Sequence, residues 1–341
     1  MNKTHLTQHK FADFALAPQV LAALAAQGYD HCTPIQAQCL PLALAGKDIA
    51  GQAQTGTGKT LAFLTATFHH LLTHEPKAKG QPRAIIMAPT RELAVQIHHD
   101  AQALAKTSGL KLALIYGGEG YDSQRQLLEQ GADILIGTTG RLIDYLKQGL
   151  YDLSQIQVVV LDEADRMLEM GFQADLDNVI AKAPAKRQTL LFSATYPTAI
   201  AKLSERLLTN PLQVTVAEQH NTSSIQQQFF QVADNNARLS ALRTLLLQYQ
   251  GQSSMVFCNT KRETQDVADA LQGYGFSVLA LHGDMEQKDR DQTLVQFANG
   301  SACILVATDV AARGLDISSV DAVFNYQLAH DADTHIHRIG R

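Results

Sequence analysis

Residues 53–60 read AQTGTGKT, between a short strand-like DIA at 48–50 and a helical run, TLAFLTATFHHLL, at 60–72. Gly56 and Gly58 let backbone N–H groups converge on an anion with no Cβ in the way. Lys59 follows with a point charge suited to β- and γ-phosphates, and Thr60 with a hydroxyl suited to Mg²⁺. Gln54, Thr55 and Thr57 complete the loop. This is a Walker A pattern with Ala53 in the first position, where Gly is commoner. The competing reading, a glycine turn that happens to precede a lysine, has no use for the strand–loop–helix setting. A phosphate loop of this kind sits at the carboxyl end of a parallel strand, so the stretch predicts an α/β fold.

The rest of the chain agrees. Apolar runs at 84–88, 112–116, 134–137, 158–162 and 189–193 form one series, and runs at 255–259, 278–282, 304–308 and 322–326 form a second. Most are continuously apolar, as strands covered on both faces should be. Helical patterns at 91–105, 261–271 and 286–298 lie between them, and this alternation predicts parallel sheets. Residues 217–224, AEQHNTSS, are polar and aperiodic and read as a linker between a domain at 1–216 and a second at 225–341. At 341 residues, two domains are also the expectation from length.

Composition excludes several classes. With 45% hydrophobic and 18% charged residues the chain is neither disordered nor of low complexity. No uncharged apolar run approaches a membrane span, and the N-terminus lacks a signal peptide's apolar stretch. Cys32, Cys39, Cys258 and Cys303 form no C-x-x-C pair and read as reduced thiols, which predicts a cytoplasmic protein. The net charge of −5 argues against an overall basic nucleic-acid binder. Its distribution matters more: residues 1–216 hold 19 Lys+Arg against 19 Asp+Glu, and residues 217–341 hold 9 against 14. A neutral first half can still bind phosphates locally.

At 158–165 an apolar strand, VVVL, runs into Asp162, Glu163, Ala164 and Asp165. Asp162 there could hold Mg²⁺ through water, and Glu163 could orient and deprotonate an attacking water. Alone, the run fits an acidic helix N-terminus equally well. Downstream of a phosphate loop, the metal reading gains the upper hand.

Together these motifs resemble the DEAD-box RNA helicases, and the resemblance covers essentially the whole chain. Residues 162–165 spell D-E-A-D. Residues 28–36, GYDHCTPIQ, resemble the family's adenine-reading Q motif, with Gln36 facing adenine, His31 near the base and Phe11 as the upstream aromatic that supports or stacks on this region. Cys32 stands where the family usually has Pro, a departure expected to loosen the loop. Pro89, Thr90 and Arg91 of PTREL, the pair Gly117 and Gly118, and Thr138 and Arg141 of TTGR (TPGR in the family) match elements that hold the RNA backbone. Ser193 and Thr195 belong to the SAT motif, which with Asp165 couples the acidic strand end to the domain interface. In the second half FCNTK at 257–261 carries Asn259, and HG at 282–283 carries Gly283. Gln287 and Arg290 fit the coupling pattern. TDVAARGLD at 308–316 places Thr308 on RNA and Asp316 on the ATP ribose. HRIGR at 337–341 opens the arginine-finger motif, with Arg338 and Arg341 expected to approach the phosphates. Each later motif is weak alone; Thr90 and Arg91 could be a helix cap and Ser193 a core hydroxyl.

The resemblance implies two RecA-like domains, the second unfinished at its C-terminus, and an ATP- and Mg²⁺-dependent enzyme that closes on RNA, bends one strand and releases the other. A narrower resemblance, through EADRMLEMGF, RQTLLFSAT and HGDMEQKDRDQTLVQFANGSA, is to the DbpA group of ribosome-assembly helicases. That implies ribosomal RNA as partner, a monomer, and a chain cut from a longer protein that hydrolyses ATP poorly as it stands. A DNA translocase is disfavoured by Asp165 and the Q motif. An ATP-gated RNA clamp without productive unwinding remains the alternative.

Overall fold

The computed structural model describes residues 6–54, 56–76, 80–118, 120–216, 225–249, 253–312 and 320–340. Thr55, Asp316, Arg341 and the proposed linker 217–224 lie outside them. The chain divides into two units, Met1–Glu218 and Gln219–Arg341.

The first unit is built on a seven-stranded sheet. Its strands are β1 (Ile49–Gln52), β2 (Ala84–Ala88), β3 (Leu112–Ile115), β4 (Ile134–Thr138), β5 (Val158–Leu161), β6 (Gln188–Ser193) and β7 (Leu212–Thr215). They pair in the order β3-β4-β2-β5-β6-β1-β7, and every pairing is parallel. Alternate side chains explain the apolar runs. Ile86, Ile136, Val158, Val160, Leu190 and Phe192 enter one core against the helices Pro18–Ala26, Pro34–Leu44, Lys59–Thr73 and Arg91–Ser108. Ile85, Met87, Leu135, Val159, Leu161 and Leu191 enter the other, against Thr139–Lys147, Ala164–Glu169, Gln173–Lys182 and Thr198–Leu207. Both faces being covered, the strands carry no polar alternation.

The second unit repeats the plan on four parallel strands: β8 (Ser254–Cys258), β9 (Val278–Leu281), β10 (Ile304–Thr308) and β11 (Ala322–Asn325), in the order β11-β8-β10-β9. Val256, Cys258, Ile304 and Val306 face one core, and Met255, Phe257, Leu305 and Ala307 face the other.

Two strands escape the apolar-run criterion. β1 is seen in the sequence only as DIA, and its third residue is Gly51, where a Cβ would lie 2.6 Å from the Phe192 ring. β7 closes the edge of the sheet with Val214 as its one buried residue, so it shows no apolar run. No helix of the described residues is long and apolar enough to cross a membrane.

Candidate functional site

The strand order turns scattered motifs into one surface. Along the carboxyl edge of the first sheet, β3, β4, β2, β5, β6 and β1 end respectively in Gly117–Gly118, TTGR, PTREL, Asp162–Asp165, Ser193–Thr195 and the phosphate loop. Residues expected to meet RNA therefore occupy one side, residues expected to meet ATP the other, and the DEAD and SAT segments lie between. Carboxyl ends of parallel strands are where α/β sheets bind ligands.

The phosphate loop has the shape its composition predicts. Gly56 has φ +80° and Gly58 φ +91°, and Gly58 caps the helix that begins at Lys59. A Cβ on Gly58 would lie 2.5 Å from the Gln36 amide nitrogen, so only glycine fits. Thr57 closes the loop by donating to the Gln54 carbonyl at 2.7 Å. Lys59 is 5% exposed, and its ammonium has no hydrogen-bond partner among the described residues. A buried ammonium without a partner is costly, and an incoming phosphate would satisfy it. The loop fits a nucleoside triphosphate on that observation. Thr60 is the second residue of the helix, half-buried beside it.

Asp162 is buried at the end of β5, and its Oδ1 accepts the Glu163 N–H at 3.0 Å. Burial raises its pKa; the nearby Lys59 charge and the Glu163 N–H oppose the shift, and the Asp165 charge adds to it. Glu163 itself sits at φ 54°, ψ 53°, a left-handed conformation that is strained for a non-glycine residue. Such strain gathers where a side chain must be aimed. Asp162 and the Thr60 hydroxyl are donors of the hard-oxygen kind Mg²⁺ takes, and Mg²⁺ needs few protein ligands. No group of three or more His, Cys, Asp or Glu poised for a metal occurs among the described residues.

Asp165 and Thr195 are joined directly. The Thr195 N–H and hydroxyl both donate to Asp165 Oδ2, at 3.1 and 3.0 Å. Ser193 behaves otherwise: among the described residues its buried hydroxyl has no hydrogen-bond partner, while its carbonyl accepts the Ala53 N–H at 3.1 Å. That bond links the SAT strand to the phosphate loop through backbone.

The Q-motif segment brings three surprises. The Gln36 amide is 3% exposed; its Oε1 accepts the Thr33 N–H at 2.8 Å and its Nε2 donates to the Gly58 carbonyl at 3.0 Å. It braces the phosphate loop. Phe11 is 2% exposed in the core and supports this segment from beneath, without offering a ring face. Cys32 does not loosen the loop: its N–H, which proline lacks, donates to the His9 carbonyl at 2.8 Å, and its carbonyl accepts from Thr7 N at 2.8 Å. His31 is half-buried beside Asp30, 3.2 Å away.

On the RNA side, Thr90 caps the helix Arg91–Ser108 by accepting the Leu93 N–H at 3.3 Å, so the cap reading of this residue is correct as far as the fold goes. Pro89 is buried and Gly118 is exposed at φ +89°. Thr138 stands before the helix Thr139–Lys147, and Thr139, where the family has Pro, buries its hydroxyl against Met167 Sδ at 3.7 Å.

In the second unit one expectation is overturned. Arg338 does not reach outward as a finger. It is 1% exposed, and all five of its N–H donors are engaged inside the unit. Nε and Nη2 donate to the Asp309 carboxylate at 2.6 and 2.8 Å, Nη1 to Asn325 Oδ1 at 3.1 Å and the Gln327 carbonyl at 2.7 Å, and Nη2 also to Asn259 Oδ1 at 2.7 Å. Its guanidinium carbon lies 5.2 Å from the Phe257 ring centroid. The guanidinium is a clasp across the ends of β8, β10 and β11. Asn259, expected on RNA, is likewise held: its Nδ2 donates to the Leu328 carbonyl at 3.2 Å. Thr308 is buried, its hydroxyl accepting the Ala311 N–H at 3.4 Å. Gly283 adjoins Lys261, which pairs with Asp284. Gln287 donates to Asp291 at 3.0 Å on the helix Gln287–Ala298, which also carries Arg290. Asp309, within a quoted motif but given no role, is the residue that sequence reasoning missed; its signal was a buried-strand carboxyl end followed by an unassigned carboxylate.

The model of the DEAD/DEAH box helicases matches residues 33–203, and that of the helicase conserved C-terminal domain matches residues 237–341. This chain belongs to the DEAD/DEAH box helicase family. Among curated relatives, the "ATP-dependent RNA helicase RhlB" of Pectobacterium carotovorum is 53% identical over 100% of this chain and 80% of its own length. The protein of the same name from Sodalis glossinidius is 53% identical over 100% and 83%. Among solved structures, Saccharomyces cerevisiae Dbp5 bound to RNA and ADP BeF3 aligns with a TM-score of 0.86 and 31% identity, covering 97% of this chain and 85% of that one. This DEAD-box helicase is accordingly an ATP-dependent RNA helicase with RNA-dependent ATPase activity, built from two RecA-like units. Both relatives carry the name RhlB, so the narrower likeness to the DbpA group gives way.

Proposed function

We propose that this helicase unwinds RNA locally, by ATP-driven closure of its two units on a single strand. The observation that carries the reading is the buried ammonium of Lys59, without a hydrogen-bond partner among the described residues and set beside Asp162 on the sheet edge that also holds the RNA motifs. In this reading the backbone N–H groups of the loop and Lys59 hold the triphosphate, and Gln36 keeps the loop in shape while its remaining N–H and lone pair meet adenine. Thr60 and Asp162 hold Mg²⁺, which when bound neutralises charge on the phosphate oxygens. Glu163 accepts the proton of the water that attacks the γ-phosphorus, as the bond to the β–γ bridging oxygen breaks and ADP and phosphate leave. Arg341 supplies charge to that step, a role from which Arg338 is now withdrawn. The Asp165–Thr195 bonds relay the state of the acidic strand end. Pro89, Thr90, Arg91, Gly117, Gly118, Thr138 and Arg141, with Gly283 and Thr308, hold phosphates and 2′-OH groups, which position a strand without reading its sequence.

The substrate proposed is structured RNA with an adjoining single strand; a ribosome-assembly role loses its support along with the DbpA likeness. We also place the protein in the reducing cytoplasm as a monomer. Its four cysteines are free, and burial pushes the thiols of Cys32, Cys39 and Cys258 up to about 12. The test is ATP turnover with single-stranded RNA and with DNA of the same sequence, coupled to a strand-displacement assay. Stimulation by RNA alone, with strand release, is expected. Equal stimulation by DNA would sink the RNA reading, and stable RNA binding without strand release would favour the clamp.

A further inference from the structure

The two arginines of the RNA side each sit over a tyrosine ring. The Arg141 guanidinium carbon is 4.0 Å from the centroid of the Tyr121 ring, and that of Arg91 is 4.4 Å from the centroid of Tyr116. Arg91 follows β2 and Arg141 follows β4, whereas both tyrosines belong to the segment after β3. Three separate stretches of sequence thus converge on two matching stacks.

Each tyrosine is itself anchored. The Gln124 side chain is 4% exposed, and its amide imitates a strand neighbour: Oε1 accepts the Tyr116 N–H and Nε2 donates to the Tyr116 carbonyl, both at 3.0 Å. That pair pins the residue immediately before Gly117–Gly118. The buried Tyr145 donates its hydroxyl to the Tyr121 carbonyl at 3.0 Å and meets the Tyr121 ring edge-on, with centroids 5.7 Å apart at 87°. Asp144, close to the Tyr121 hydroxyl, raises its pKa. With all this, Tyr121 remains 49% exposed. A ring kept only for packing has no reason to stand half in water with an arginine laid on it.

The physical consequence concerns entropy. An arginine that grips a phosphate must give up rotamer freedom. Stacking uses the face of the guanidinium and phosphate bonding uses its edge, so a ring can hold the plane beforehand without competing for the donors.

We propose that Tyr121 and Tyr116 are positioning residues of the RNA site, which hold Arg141 and Arg91 in the orientation that meets successive phosphates. The proposal rests on the reading of those arginines as RNA ligands. It is tested on the full chain by binding a short single-stranded oligouridylate, with a slowly hydrolysed ATP analogue, over a range of salt concentrations. Tyr121→Ala is expected to weaken binding roughly 2- to 5-fold, the yield of an exposed cation–π contact. The KM for RNA in the ATPase assay should rise by the same factor, with turnover at saturating RNA retained. The slope of log affinity against log salt should stay as in the parent, because the arginine charge is still present; Arg141→Ala should lower it by about one. Tyr121→Phe, which keeps the ring, should restore affinity, and Tyr116→Ala with Tyr116→Phe should repeat the pattern through Arg91. Parent-level affinity in Tyr121→Ala, alongside a loss in Arg141→Ala, would overturn the positioning role and leave the RNA reading standing. Parent-level affinity and slope in Arg141→Ala would instead remove the RNA-ligand reading on which the proposal rests.

Discussion

The carboxyl edges of the two sheets are built by the same rules and end in opposite ways. In the first unit, β1 and β5 lead to a buried ammonium with no hydrogen-bond partner among the described residues, a carboxyl group whose pKa is raised by burial and a glutamate in a left-handed conformation. In the second, β8, β10 and β11 lead to an arginine whose every donor is taken by Asp309, Asn259, Asn325 and Gln327. Topology gives both sheets a crevice at this edge. What differs is whether the side chains there satisfy one another. The first crevice keeps a buried ammonium without a hydrogen-bond partner among the described residues, which costs stability and prepares it for a triphosphate. The second is filled by the chain's own cation and has become structure.

The largest effect expected from this contrast is on chemistry. Glu163→Gln should reduce RNA-stimulated phosphate release by about 10²- to 10⁴-fold while nucleotide binding persists, measured in a single-turnover assay beside equilibrium binding of an ATP analogue. Retained hydrolysis would show that Glu163 is not the base. Arg338→Ala should act on stability, because it leaves the Asp309 carboxylate at the end of β10 without its partner; a cost of about 3–5 kcal/mol is expected, read as early melting of the second unit in denaturant. If that variant kept its stability and lost hydrolysis as Glu163→Gln does, the clasp would be wrong and the contrast between the two edges would collapse.

Smaller effects sharpen the same picture. Glu163→Gly removes the left-handed strain, so ligand-free stability of the first unit should rise by about 0.5–1 kcal/mol as activity is lost; an unchanged or lowered midpoint would mean the strain is not stored there. Acid sensitivity should also reside in the first unit. His70 packs in a stack with His74, with ring centroids 4.1 Å apart, and burial, followed by the charges of His74, Arg83 and His69, brings its pKa down to about 4. A folded-state value below the ordinary 6.5 means stability that is complete above pH 6.5 and lost as pH falls towards 4. Melting followed by unit-specific proteolysis should show the first unit weakening over that window, with His70→Phe flattening the dependence.

Much of this was legible in the sequence. Continuous apolar runs mark strands packed between layers, so all nine runs reappear within a residue or so of their reading in a parallel sheet, two of them, 278–282 and 322–326, as the half-buried β9 and β11. AQTGTGKT and DEAD announced a phosphate site because glycine and carboxylate chemistry is local. The edge strand β7 was not legible, having one buried residue and no run. Arg338 was misread because a motif tells which residue type is present and not which way a side chain points; only three strand ends meeting around it made it a clasp.

By itself, then, the sequence determined the α/β class, the two units, the phosphate loop and the acidic strand end, since each depends on residues adjacent in the chain. The tertiary structure alone decided the order of motifs along the sheet edge, the bracing of Gly58 by Gln36, the stacking of Arg91 and Arg141 on tyrosines, and the burial of Arg338. These are contacts between residues tens of positions apart, set by strand order and by which buried polar groups find a partner, and no local pattern encodes them.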